Sequence, residues 1–488
     1  MRAMKTSGRR WGAFLPLLIA LPVLAVPGVA QAEGASACFD DSAAITVEEK
    51  RLTATMPSGG PAVGPELVRL AGFDKLVSDF TRRLCATKTA LRAEKLAETA
   101  GDGLWRTAVD RAQGRRPDLG IIDKADDRPL YWARLQMSKA LRQWTPRFPL
   151  SAPARAELLK TFDFGARGLD DSRFPAGPKL RRVLVSGFDP FTLNGAGVRI
   201  ANPSGAAALH LDGKTIQTPT GPALVQAVSF PVVWRYFDAG IVESAYGQAF
   251  KDRFRRPELI MTISQGRPGR FDIERWAGAW RGGFPDNLDE PVRGQVPPAD
   301  GWPQPDVQFI ETTLPYEKML AAPAGAYQVL YNEAFCVWPD STKPGTGTAV
   351  CRTDAPKPGE VAASGGGGNY LSNESMYRSN RLRTGLGLTG IAGGHLHTPV
   401  LGTPTDPSAL TDADFEARRA AISSQIVTLL PPLWAAPPRS PLRPLRALRL
   451  APTSSRPPAR PSDPTHFVLW MRWFAVELPH SEDETRGR

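Results

Sequence analysis

Past residue 180 the chain breaks into short apolar runs, each closed by a turn and separated by helical stretches. Arg182-Val183-Leu184-Val185-Ser186 is one such run, ending at Gly187. Glu258-Leu259-Ile260-Met261-Thr262-Ile263 is another, and residues 391–398 hold a third. Runs without polar alternation suit strands buried on both faces. Residues 246–254 and Tyr316–Leu320 read as helices between them. Strands alternating with helices restrict this part of the chain to an α/β fold. The expectation is a three-layer α/β/α sandwich with a mainly parallel sheet, preceded by a helical N-terminal domain. In such sheets reactive groups gather at the carboxyl ends of the strands.

Residues 33–178 carry a different texture. Leu67, Leu70, Phe73, Val77, Phe80 and Leu84 recur at three- and four-residue steps, which predicts the buried face of one helix. A second helix is expected after Asp126-Asp127 and Pro129, burying Tyr131, Trp132, Leu135, Leu141 and Trp144. With no catalytic cluster, this region reads as a helical accessory domain. The α/β domain spans 179–430 and includes a Gly- and Pro-rich stretch, 322–368, that reads as a surface insertion. Gly365-Gly366-Gly367-Gly368 lacks the Lys-Ser/Thr ending of a phosphate loop, so it reads as flexible backbone beside a site. A helix follows over residues 411–429. Residues 431–488 form a Pro/Arg-rich tail with eleven prolines between Pro431 and Pro464, a composition that packs no core.

The N-terminus gives an address. Arg2, Lys5, Arg9 and Arg10 precede an apolar run from Trp11 to about Val29, then Ala30-Gln31-Ala32. This is the pattern of a secretory signal peptide, residues 1–32. Pro16, Pro22 and Pro27 interrupt the run and speak against a membrane anchor, and no later stretch is apolar enough to span a bilayer. The mature chain is therefore expected outside the cytoplasm, secreted or periplasmic. Four cysteines then meet an oxidising compartment: Cys38, Cys85, Cys336 and Cys351. Three pairings are possible, and proximity favours Cys38–Cys85 with Cys336–Cys351. The net charge of +11 does not predict a nucleic-acid partner. Four cations fall in the signal peptide and six arginines in residues 431–462, leaving 50 basic against 49 acidic residues in the body. Contact with an acidic cell surface through the tail is the one electrostatic partner this distribution leaves.

Chemistry narrows quickly, because the chain has only five histidines: His210, His395, His397, His466 and His480. His395 and His397, two apart on a strand, point the same way. No third metal ligand stands in a recognisable arrangement with them, so one is expected to be structural and the other a pocket base. Ser372 lies in Asn369-Tyr370-Leu371-Ser372-Asn373, and Glu274 in Phe271-Asp272-Ile273-Glu274-Arg275. A Ser/His/Glu set is a workable hydrolytic triad in any chain order. A helix N-cap hydroxyl is the alternative role for Ser372.

Several segments, in order, resemble the pyroglutamyl peptidase I family over about residues 181–430. They are Val183 through Phe191, Asn202-Pro203-Ser204, Phe230-Pro231-Val232-Val233 and Gln265-Gly266-Arg267. Ile273-Glu274-Arg275, Phe284-Pro285-Asp286-Asn287, Thr313-Leu314-Pro315, Tyr370-Leu371-Ser372-Asn373 and His397-Thr398-Pro399 complete the series. The resemblance implies a compact hydrolase-like α/β/α fold and removal of an N-terminal pyroglutamyl residue from peptides, without a cofactor. It implies His397 as general base, Glu274 as its orienting carboxylate and position 372 as nucleophile. Phe188 and Phe191 would pack the flat lactam, with Gln265 as a further pocket contact. The departure is Ser372, which stands where the family has cysteine. Two expectations follow: a serine-type peptidase durable outside the cell, or an inactive relative that binds peptide or lactam ligands.

Overall fold

The computed structural model describes residues 38–434 apart from 171, 178 and 179. The expected signal peptide and almost all of the Pro/Arg-rich tail lie outside the described residues. Everything described falls in one compact unit.

The N-terminal part is helical, with helices α1 (Val63–Leu70), α2 (Asp74–Ala86), α3 (Ala90–Ala112), α4 (Arg128–Gln143) and α5 (Ala152–Gly165). The apolar stripe from Leu67 to Leu84, expected as one helix, is two. Gly72 takes a positive φ of 76° between α1 and α2, a conformation that residues with a Cβ avoid. The helix after Asp126-Asp127 is α4, with Pro129 in its first turn, where the missing N–H costs nothing. Leu67, Phe80, Leu84, Trp105, Tyr131, Trp132, Trp144 and Phe162 form the core of this region, which continues into Val198 and Leu209 of the following part.

The rest is built on a mixed seven-stranded sheet. Its strands are β1 (Arg181–Phe188), β2 (Thr215–Thr218), β3 (Gly221–Phe230), β4 (Leu259–Gln265), β5 (Arg270–Glu274), β6 (Gln328–Asn332) and a later strand, Ala392–Thr398. Between these last two, Phe335–Val337 (β7), Val350–Arg352 (β8) and Ala362–Ser364 (β9) form a separate three-stranded antiparallel sheet, which makes Ala392–Thr398 β10. The large sheet runs β6-β5-β10-β4-β1-β3-β2. The four central strands β10, β4, β1 and β3 are parallel. The sheet is not mainly parallel to its edges, because β5 and β6 are reversed at one side and β2 at the other.

Four more helices cover the sheet: α6 (Pro203–Leu211), α7 (Ile241–Lys251), α8 (Leu371–Gly385) and α9 (Ala413–Leu429). Val183 and Val185 of β1 share a core with Leu211 of α6 and with Phe415, Ile422 and Ile426 of α9. Leu184 and Phe188, on the opposite face of the same strand, pack with Val242 and Tyr246 of α7 and Leu382 of α8. Residues 322–368 are not a simple surface insertion, since they contribute the edge strand β6 and the whole small sheet.

The helical region and the sheet are tied by buried charge. Asp189, directly after β1, accepts hydrogen bonds from Arg134 of α4 at 2.6 Å and Arg167 at 2.8 Å. Burial alone would raise the Asp189 carboxyl, but the two guanidiniums outweigh it and hold it below its ordinary pKa. Asp127 accepts from the Asn202 amide at 3.0 Å, and Glu48 accepts from Tyr131 at 2.8 Å and Asn287 at 3.1 Å. Removing one partner from a buried ion pair such as Asp189 with Arg134 typically costs about 3–5 kcal/mol. No described helix is long and apolar enough to cross a membrane.

A candidate active site at His397 and Glu274

His397 occupies the penultimate position of β10, and Glu274 the last position of the neighbouring, reversed strand β5. In the ladder His397 stands opposite Asp272 and His395 opposite Glu274. The side chains nevertheless meet diagonally, with His397 Nδ1 2.7 Å from Glu274 Oε1. Both are buried. With Glu274 a carboxylate, Nδ1 carries the proton and Nε2 is left as the basic nitrogen.

Besides His397, two side chains hold Glu274. Asn332, the last residue of β6, donates to Oε2 at 2.6 Å and to the Gly366 carbonyl at 2.9 Å. Arg267 approaches Oε1 at 3.5 Å, bonds Asp272 at 2.7 Å and donates to the same Gly366 carbonyl at 2.9 Å. Burial works against the Arg267 charge, but Asp272 and Glu274 outweigh it and raise its pKa above the ordinary value. Asn332 and Arg267 thus fix the carboxylate that orients the imidazole, an arrangement that sets tautomer and ring position in hydrolytic sites.

The imidazole lies between two glycines. A Cβ on Gly266 would fall 2.6 Å from His397 Cγ, and one on Gly367 would fall 2.6 Å from Cε1 and 3.6 Å from Nε2. A Cβ on Gly366 would collide with Glu274 Oε2. The glycine run is therefore a fitted wall of the dyad, closed by Gly365 N–H to Gly368 O at 2.9 Å and Gly366 N–H to Trp276 O at 2.8 Å.

Ser372 sits in the first turn of α8, half-buried, next to Gly367 of that wall. Its Oγ donates to the Gly367 carbonyl at a long 3.4 Å. Among the described residues no hydrogen bond joins Ser372 to His397. Helix α8 has Tyr370 as its N-cap, so Ser372 does not cap it. The first intrahelical bond is Glu374 N–H to Tyr370 O, which leaves the amides of residues 371–373 ahead of the hydrogen-bonded turns. Asn373 pins this end of the helix through two bonds to Gly278, at 2.9 and 2.8 Å. Glu374 below it is buried against Arg281 and Arg378.

The remaining expected site residues divide. His395 is structural: its ring nitrogens meet Thr262 at 2.6 Å and Ser264 at 2.9 Å. Complete burial, assisted by neighbouring His397, holds its pKa well below the usual histidine value. Phe188 belongs to the core, packed on Phe230 and Phe237, and is closed to a ligand. Phe191 is half-buried beside Tyr370, which also meets Trp234 and the half-exposed Phe284. Gln265 turns its carbonyl to the loop after β10, accepting from the Leu401 amide at 3.0 Å. Cys38 is bonded to Cys85, and Cys336 to Cys351. Arg267, Asn332 and Tyr370 acquire their place only through the fold, although Arg267 lies beside Gln265 in sequence.

Fold and site together define a mixed α/β protein with a buried imidazole–carboxylate dyad behind a glycine wall. Residues 30–163 match the PA0049 N-terminal domain, and residues 182–304 and 299–402 match the PA0049 C-terminal domain. The chain belongs to the PA0049 family. A relative from Pseudomonas aeruginosa, named "Uncharacterized protein PA0049", is 33% identical over 495 residues, covering 80% of this chain and 89% of its own. This corrects the resemblance drawn from the short motifs. The matched families take in the helical region as well as the sheet, and nothing in their descriptions or in the relative's name points to pyroglutamyl peptidase I.

Proposed function

We propose that this chain is an exported hydrolase of amide or ester bonds, with His397 as general base, Glu274 as its orienting carboxylate and Ser372 as nucleophile. The observation that carries the reading is the buried 2.7 Å contact between His397 and Glu274, with Ser372 next to Gly367. The reading requires that rotation about Cα–Cβ carry the Ser372 hydroxyl from its long bond with Gly367 toward Nε2, at the cost of one weak hydrogen bond. Nε2 then accepts the hydroxyl proton as Oγ attacks the substrate carbonyl. The amides at the start of α8 are the donors nearest the oxyanion that forms there. His397 returns the proton to the leaving amine or alcohol, and water repeats the cycle on the acyl-enzyme.

A three-layer α/β/α arrangement fits this chemistry, with α6 and α9 on one face and α7 and α8 on the other. Phe191 and Phe284, gathered on Tyr370 two residues before Ser372, suit an acyl group with a flat apolar face, so peptides or small amides are the substrate class. Export is supported by the two cystines together with the N-terminal signal pattern. A fluorophosphonate probe tests the reading. Wild type should be labelled at Ser372 and Ser372→Ala should not; equal labelling of both would refute it. A second reading is favoured by the bond of Ser372 to Gly367 instead of His397: a binding protein for the same ligands. Ligand-induced thermal stabilisation without turnover would support that alternative.

A further inference from the structure

The small sheet β7–β9 stands beside the dyad, and its cystine stands at its centre. Cys336 of β7 faces Cys351 of β8 on one side and Ser364 of β9 on the other. Ser364 is the last residue of β9, and the next four residues are the glycines that wall His397 and Glu274. Each strand of this sheet is only three residues long, and the connection from β7 to β8 runs through Pro339, Pro344, Gly345 and Gly347. Ladders this short hold weakly without help. Beyond the ladder, β9 is held by Gln308, which accepts from the Ala362 amide at 3.1 Å, by Asn369, which donates to the Ala363 carbonyl at 3.2 Å, and by burial of both alanines. Cys351 is exposed and Cys336 half-buried, so an external thiolate can reach the bond.

We propose that the Cys336–Cys351 cystine is a redox-sensitive positioning element for the dyad, acting through β9 on the Gly365–Gly368 wall. Its effect on catalysis rests on the hydrolase reading above; its effect on the wall does not. The co-reactant is a dithiol reductant. One of its thiolates attacks the exposed Cys351 Sγ, the Cys336–Cys351 bond breaks, and Cys336 leaves as a thiolate that takes up a proton. The second thiol of the reductant then attacks the mixed disulfide and releases Cys351. Two electrons pass to the cystine, and the reductant ends as a disulfide. With the link open, β8 is released from β7, the β7–β9 pairing loosens, and the glycine wall loses its fixed distance to His397 Cε1.

The full oxidised chain is treated with dithiothreitol without denaturant, and freed thiols are mass-tagged. Cys336 and Cys351 should be tagged before Cys38 and Cys85. Hydrogen exchange of peptides covering residues 362–370 should then speed up about tenfold or more, while peptides from β1 and β4 stay unchanged. The His397 ring resonances should shift in parallel and return on reoxidation. The Cys336→Ser/Cys351→Ser double variant should reproduce the faster exchange and the shifted His397 signals. Unchanged exchange at 362–370 after selective reduction would overturn the proposal. Fluorophosphonate labelling is followed in the same samples. If the oxidised protein is never labelled, the hydrolase reading fails while the exchange result still decides the positioning role; if it is labelled, reduction should lower the labelling rate.

Discussion

Asp127 makes protonation of a buried carboxyl measurable as stability. It lies at the start of α4, where Oδ2 accepts from Asn202 at 3.0 Å and Oδ1 has no partner. A water-sized cavity of about 10 Å³ adjoins it, also lined by Tyr131, Asp189 and Ser229. Burial, and then the charge of neighbouring Asp126, push its pKa from 3.8 up to about 7. Below pH 4 the carboxyl is protonated in folded and unfolded chains alike. Between pH 4 and 7 the unfolded chain releases the proton and the folded chain keeps it, so stability declines as pH rises through that window. At about 1.4 kcal/mol per pKa unit, the ceiling is roughly 4 kcal/mol, reached above pH 7. Asp127→Asn keeps an oxygen for the Asn202 amide and removes the titration. In guanidinium titrations at half-unit pH steps, the variant should match wild type at pH 4 and exceed it by about 2–4 kcal/mol at pH 8. A difference that does not change with pH, or a variant weaker at pH 8, would refute the reasoning.

Gly367→Ala should displace the His397 ring, because the added methyl would fall 2.6 Å from Cε1. Loss of probe labelling by about 100-fold or more, with the far-ultraviolet spectrum unchanged, is the expected result; full labelling would show that the wall yields freely. His395, neutral and bonded to two hydroxyls, should show no ring titration by NMR between pH 8 and pH 5. A midpoint near the ordinary histidine value would mean that its burial is not kept in solution.

The sequence carried much of the sheet because β1 and β4 are apolar on both faces, and such runs have few other uses. The reversal of β5 was also within reach. Only four residues separate Gln265 of β4 from Arg270 of β5, whereas a parallel return needs a crossover of a dozen or more. Phe188 was readable as core by parity, since it shares a strand face with Leu184. The break at Gly72 was hidden because the apolar period continues across it, and periodicity reports burial without reporting φ. Asn332 and Gly366 could not be found in advance, because they reach Glu274 only after β6 has paired with β5. The glycine run was noticed for its flexibility, yet its use is the opposite: space for an imidazole and a carboxylate against fixed backbone. The family resemblance failed for a different reason. Short motifs describe local turns, and the matched family extends over a helical region that those motifs never sampled.

Asp189 carries a lesson for anyone dissecting this molecule. Its carboxylate sits on the sheet side, while Arg134 and Arg167 arrive from the helical side. Cutting the gene near residue 178 would leave a naked buried anion in one fragment and stranded guanidiniums in the other. Truncations should therefore yield insoluble halves instead of assignable parts, and the division of labour between the two regions is better mapped by single substitutions in the intact chain.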